Sequence, residues 1–183
     1  GGTSGSPLNF TLIRYTSDGT LDTSFDGDGI VITNINSDSN PDSAWSVSIQ
    51  ADGKILLGGY SYDGTDHDFT IVRYNVDGSL DTSFDTDGIV TTDIGSSTSD
   101  FVYSVTIQDD GKILLAGASN ISGTNDFALV RYNADGSLDG SFGSGGIVTT
   151  DLNSSNDYAY DVKVQADGKI LLAGTSDISG DYD

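Results

Sequence analysis

The chain repeats itself. Phe10, Phe69 and Phe127 open the segments FTLIRY, FTIVRY and FALVRY at separations of 59 and 58 residues, and Gln50, Gln108 and Gln165 recur at 58 and 57. Each unit keeps one order: an FxxVRY-like run, a DGSLDTSF-like turn, a GIVTTD-like run, an aromatic-x-V-x-(I/V)-Q run, an Asp-Gly-Lys turn, and KILLAG. A fixed period of this kind argues against one irregular core. Every unit is a small module that must bury its apolar surface on its neighbours.

Inside the runs the apolar period is two. Trp45, Val47 and Ile49 alternate with Ser46, Ser48 and Gln50, and Tyr103, Val105, Ile107 and Tyr160, Val162, Val164 repeat the pattern. Each set is predicted to share one face of a half-buried strand. The runs starting at Lys54, Lys112 and Lys169 are apolar at successive positions, which predicts a strand covered on both faces. Ala51-Asp52-Gly53, Asp109-Asp110-Gly111 and Ala166-Asp167-Gly168 place Asp-Gly between two runs, a tight hairpin with glycine at positive φ.

Four strands per unit predict an all-β chain: a β-propeller-like array of four-stranded antiparallel blades, about three repeats of 57–59 residues in a partial ring. The aromatic run is the first strand of a blade, KILLAG the second, FxxVRY the third and GIVTTD the fourth. Full blades are predicted at 44–94 and 102–152, with half-blades at 10–35 and 159–176. The organisation reads as 1–43 (end of one blade), 44–101 (blade), 102–158 (blade) and 159–183 (first half of the next). Gly1-Gly2-Thr3-Ser4 aligns with Gly58-Gly59-Tyr60-Ser61 and reads as the end of a second strand. The chain is therefore expected to be a section of a longer array, not closed by itself.

Composition narrows the chemistry. All 28 acidic residues are Asp, against 7 basic ones, for a formal charge of -21. A phosphate backbone or an anionic membrane surface would be repelled. Asp favours turns and caps over helix interiors, in keeping with an all-β chain. With no Cys and one His, thiolate nucleophiles, disulfides and the usual zinc constellations cannot be assembled. No apolar run approaches the ~18 residues of a membrane helix. No enzyme is expected.

The residues FALVRYNADGSLDGSF, followed by GGIVTTD and VKVQADGKILLAG, resemble the delta-60 repeat family, and the likeness runs three times through the chain. That resemblance implies a propeller-like fold and a setting in bacterial secreted or surface proteins. It brings no catalytic residues to carry over. The chain departs from the pattern at Gly143-Ser144-Gly145-Gly146, where the other units carry Asp, and in the longer linker from Ser37 to Ser43 with Pro41.

Arg14, Arg73 and Arg131 share one repeat position and Lys54, Lys112 and Lys169 another, leaving Lys163 alone. A recurrent Arg opposite a recurrent Asp (Asp22, Asp81, Asp139) reads as an internal strut, because guanidinium binds carboxylate in two places. A ligand-binding Arg in each blade is the functional alternative. His67, between Asp66 and Asp68, has no counterpart in the other units and reads as a solvated loop histidine. Asp26/Asp28 and Asp85/Asp87 set two carboxylates beside glycine, a candidate calcium turn whose plain alternative is an Asx turn before a strand. Asn9, Asn120 and Asn153 lie in N-x-S/T triplets that a Ser-, Thr- and Asn-rich chain produces by chance. Tyr60, Tyr62 and Tyr182 are candidates for stacking on sugars, or for covering a blade edge.

Turns after first and third strands lie on one face of such a disc, and loops after second and fourth strands on the other. The first class barely varies here; the second differs from unit to unit. Partner contacts are expected on the variable face, at Pro41, Tyr62, His67, Asn120 and Asp157. The chain reads as a structural and interaction module, a scaffold, adhesin or filament component; a calcium-dependent, lectin-like propeller is the alternative. The partners implied are further repeats of the same protein, neighbouring subunits, a cell-surface protein or a glycan, with no nucleic acid and no membrane insertion.

Overall fold

The computed structural model of the chain describes residues 8–36, 41–152 and 154–177. Gly1 to Ser4, Asn153 and Tyr182 lie outside that set. Among the described residues there are twelve strands and no helix. β3 (Asp42–Ile49), β4 (Ile55–Tyr62), β5 (His67–Tyr74) and β6 (Ile89–Thr92) form one antiparallel sheet in sequential order. A second such sheet holds β7 (Asp100–Ile107), β8 (Ile113–Ser119), β9 (Asp126–Tyr132) and β10 (Ile147–Thr150). Two-stranded sheets flank them: β1 (Phe10–Ile13) with β2 (Ile30–Thr33), and β11 (Asp157–Val164) with β12 (Ile170–Ser176). This is the up-and-down blade order that the repeats predict.

The hairpins form as the Asp-Gly pairs dictate. Gln50 O accepts the Gly53 amide at 2.9 Å, Gln50 N donates to Lys54 O at 2.8 Å, and Gly53, Gly111 and Gly168 sit at φ of 86°, 84° and 82°. A β-branched residue there would be forced into a left-handed conformation.

The cores lie between blades. Phe10, Phe25 and Val31 pack on Ile55, Leu57, Val72 and Tyr74 across the first junction. Leu56, Ile71 and Phe84 meet Val102, Val105, Leu115 and Tyr132 across the second, and Leu114, Ala116 and Leu129 meet Ala159 and Val162 across the third. Buried hydroxyls add to this packing: Tyr74 bonds Thr33 of the preceding blade at 2.7 Å and Tyr132 bonds Thr92 at 2.6 Å. Second strands β4 and β8 are covered on both faces, as their continuous apolar runs require.

One expectation needs correction. The pairing register shifts between Ala44 and Ser46, Val102 and Ser104, and Ala159 and Asp161, so Trp45, Tyr103 and Tyr160 are the extra residues of three β-bulges. The bulge flips the parity of the strand. Val102 and Val105, like Ala159 and Val162, take the core position together, and the aromatic rings are turned away from it.

Among the described residues, both ends of the array leave apolar side chains exposed. Leu171 is 53% exposed where its counterparts Leu56 and Leu114 are fully buried, and Val47 is 55% exposed where Val105 and Val162 are at 7% and 0%. Among the described residues, β1 and β12 each pair on one edge only. Exposed apolar ends and free strand edges drive association. The isolated chain is therefore expected to associate in light-scattering chromatography, and Leu171→Asp with Val47→Asp to return it towards 19.0 kDa. A monomer at every concentration before substitution would contradict this.

Candidate functional site

Two faces of the array differ in what they use their polar residues for. On the face of the turns after first and third strands, the repeat builds a strut in each blade. Arg73 Nε donates to Asp81 Oδ2 at 2.6 Å and Lys54 Nζ to the same oxygen at 2.7 Å, while Asp81 Oδ1 accepts the Ser83 amide and hydroxyl. Arg131, Asp139, Lys112 and Ser141 repeat the arrangement, and Arg14 pairs with Asp22. Each guanidinium lies over a phenylalanine ring, Phe25, Phe84 or Phe142, at 4.2–4.4 Å. The strut also reaches the next blade: Arg14 Nη1 donates to Val76 O at 2.5 Å and Arg73 Nη1 to Ala134 O at 2.6 Å. The three Arg are placed as struts.

The candidate calcium turns sit on this same structural face. Asp28 Oδ1 accepts the Ile30 amide at 2.8 Å and Asp87 Oδ1 the Ile89 amide at 3.0 Å. Asp26 and Asp85, at φ of 50° and 55°, donate their amides to Asp77 O and Asp135 O of the next blade. Among the described residues no third carboxylate or imidazole joins either pair. The arrangement is that of an Asx turn combined with an inter-blade tie.

The opposite face carries two features. The first is a row of rings running across the blades. Tyr62 and Tyr60 each lie 5.2 Å from His67, Tyr60 stands edge-on to Phe101 at 4.9 Å, Trp45 to Tyr103 at 5.5 Å, and Tyr103 lies 5.2 Å from Tyr160. Trp45 and Tyr160 remain half exposed. The bulges position this row, because they aim Trp45, Tyr103 and Tyr160 out of the core. His67 is not a solvated loop residue: it opens β5 half-buried among rings, and burial lowers its pKa, with Asp66 opposing.

The second is a pair of carboxylate triads. Asp68, Asp93 and Asp100 present oxygens within 4.8 Å of one another, and so do Asp126, Asp151 and Asp157 at the next junction. Each triad draws on a third strand, the loop after a fourth strand, and the first strand of the following blade. Asp68, Asp100, Asp126 and Asp157 are buried. The first-strand Asp also latches the neighbouring loop: Asp42, Asp100 and Asp157 accept the amides of Ile35, Ile94 and Leu152 at 2.8–3.0 Å. Asp157 is thus no partner-facing loop residue but a buried junction group. Of the other expected contacts, Pro41 is exposed and Tyr62, His67 and Asn120 are half-buried.

Two unit charges about 4.8 Å apart repel by roughly 3 kcal/mol at an effective dielectric of about 20. Burial pushes Asp68 up to about 7, with Asp63, Asp66, Asp93 and Asp100 adding to it, and pushes Asp100 up to about 6. Asp126 is raised, chiefly by burial. Such groups hold protons more tightly folded than unfolded. Their contribution to stability is full below the ordinary value of 3.8 and is lost as pH rises through about 6 and about 7. In chelator, the melting temperature is expected to fall between about pH 4 and about pH 7. A rise through that window would contradict the burial of these carboxyls.

Sequence reasoning missed the triads. The signal was present, since Asp68/Asp126, Asp93/Asp151 and Asp100/Asp157 recur at 58, 58 and 57 residues. The groove lined by Ile94, Ile121, Ile147 and Val148 offers less, with no titratable side chain in its lining.

Four-stranded sheets stacked through inter-blade cores define a β-propeller array. The chain belongs to the family described as "Domain of unknown function (DUF5122) beta-propeller", whose model matches residues 1–25, 50–84, 108–142 and 165–183, more than half of the chain. The matched segments contain the Arg, Lys and Asp of every strut and stop short of Trp45, Tyr103 and Tyr160. No curated protein matches the chain.

Proposed function

We propose that this array is a non-enzymatic interaction module of a bacterial surface or secreted protein, of the delta-60 repeat type, acting as a scaffold or adhesin through its variable face. The observation that carries this reading is the division between the faces. One face commits its charged residues to struts and ties within the fold. The other presents loops that differ between units beside a continuous row of rings, and rigid amphipathic rings of this kind are a recurrent means of contact.

The half-exposed Trp45 and Tyr160, with Tyr103 between them, favour a lectin-like reading as the second choice, because a flat row of aromatic faces suits sugar rings. A panel of immobilised cell-wall and capsular polysaccharides separates the two. Glycan binding that is lost in the Trp45→Ser, Tyr103→Ser, Tyr160→Ser triple variant supports the lectin. Binding to envelope protein fractions with no response to the polysaccharides supports the adhesin. Retention of all binding by the triple variant, together with variants of Tyr62 and His67, would overturn both.

A further inference from the structure

We propose that each of the two carboxylate triads, Asp68–Asp93–Asp100 and Asp126–Asp151–Asp157, is a calcium site that joins one blade to the next. The donor chemistry is all oxygen, and the spacing fits. Two ligands of one calcium, each about 2.3–2.6 Å from the ion, lie no more than about 5 Å apart, and the oxygens of each triad lie within 4.8 Å of one another.

Proximity of acids alone would not make a site, but in each triad a buried carboxylate keeps one oxygen without a hydrogen bond. Asp68, 7% exposed, and Asp100, fully buried, each keep a carboxylate oxygen, Oδ1, out of solvent with no hydrogen bond to it. Asp126 Oδ1, in a residue 3% exposed, is in the same position. A buried carboxylate with an unsatisfied oxygen beside two more carboxylates is an arrangement that a bound cation completes. That it occurs twice, at equivalent places in consecutive junctions, shows that it belongs to the repeat.

The first junction supplies an internal comparison. The positions equivalent to Asp68, Asp93 and Asp100 are Asn9, Asn34 and Asp42. Two amides replace two carboxyl groups, so that junction offers one carboxyl group where the others offer three. The proposal assigns ions to the second and third junctions and none to the first. At the second junction Asp63 and Asp66 extend the cluster through Asp68, which adds negative charge and makes this the tighter of the two sites.

The test uses the whole chain and calcium chloride. Equilibrium dialysis should count two calcium ions per chain, with calcium raising the melting temperature and magnesium substituting poorly. Asp68→Asn with Asp93→Asn copies the natural first junction and should lower the count to one. Asp126→Asn with Asp151→Asn should do the same, and the fourfold variant should bind none. Because the amides remove like charge, the fourfold variant in chelator should melt no lower than the parent, which separates loss of the ion from loss of the fold. No calcium uptake by the parent chain, two ions retained by the fourfold variant, or magnesium taken up equally well would each overturn the proposal.

Discussion

Gly117→Ala is expected to destabilise the chain by roughly 3 kcal/mol or more, one of the largest effects available to a single methyl group here. A Cβ at Gly117 would lie 1.7 Å from the Phe101 carbonyl oxygen and 2.8 Å from its carbon, both backbone atoms that cannot rotate away. The crowding comes from the bulge, which brings β7 onto β8 where Val102 pairs with Gly117. Gly59 and Gly174 face the same obstacle, with 2.0 Å to Ser43 O and 1.8 Å to Tyr158 O. Gly140→Ala is the matched control, because nothing lies within 4 Å and its φ is not positive. It should be neutral or stabilising by up to about 1 kcal/mol. Chemical denaturation of the two variants checks this, and equal midpoints would mean that the bulge is not held as described.

Arg73→Ala is expected to cost about 3–5 kcal/mol, because it removes one partner of a buried ion pair and leaves the other in place. Asp81 would keep Lys54, but the guanidinium also caps Ala134 O in the next blade and covers Phe84. Arg73→Lys should recover little, since one ammonium cannot serve Asp81, Ser83 and Ala134 from the same position. Arg131→Ala should cost less, because Arg131 is more exposed than Arg73. Urea melts of the three variants order them; a smaller loss for Arg73→Ala than for Arg131→Ala would contradict the strut.

These struts also set the acid limit. Burial works against ionisation of Asp81, but hydrogen bonds from Lys54 and Ser83 and the Arg73 charge outweigh it and hold the carboxyl well below its ordinary value. Hydrogen bonds from Lys112 and Ser141 do the same for Asp139. Stability from these pairs is present above about pH 4 and is lost as pH falls below it, the opposite sense to the triads.

Much of this was legible in the sequence because the repeat fixes position. A feature that recurs at one place in three units, such as Arg73 eight residues before Asp81, declares its partner within a single turn. The Asp-Gly hairpins are local in the same way, requiring only two strand runs and a glycine. The bulge was not legible, since a period-two reading gives every residue a partner, whereas the register shifts between Val102 and Ser104 and leaves Tyr103 as the extra residue. The triads escaped for a different reason. Asp68, Asp93 and Asp100 come from three elements of two blades, and only the stacking of those blades brings their oxygens together. His67 was misread because Phe101, one of the rings packed on it, comes from the next blade.

The division between the faces is tested most directly by measuring melting temperature and binding to bacterial envelope preparations on one set of variants. Charge or size changes at Pro41, Tyr62, His67 and Asn120 are predicted to leave the melting temperature nearly unchanged and to weaken binding. Substitution of the struts at Lys54 or Lys112 is predicted to lower the melting temperature while the folded fraction binds as before. Binding lost only through the strut face, with the variable loops inert, would contradict the account.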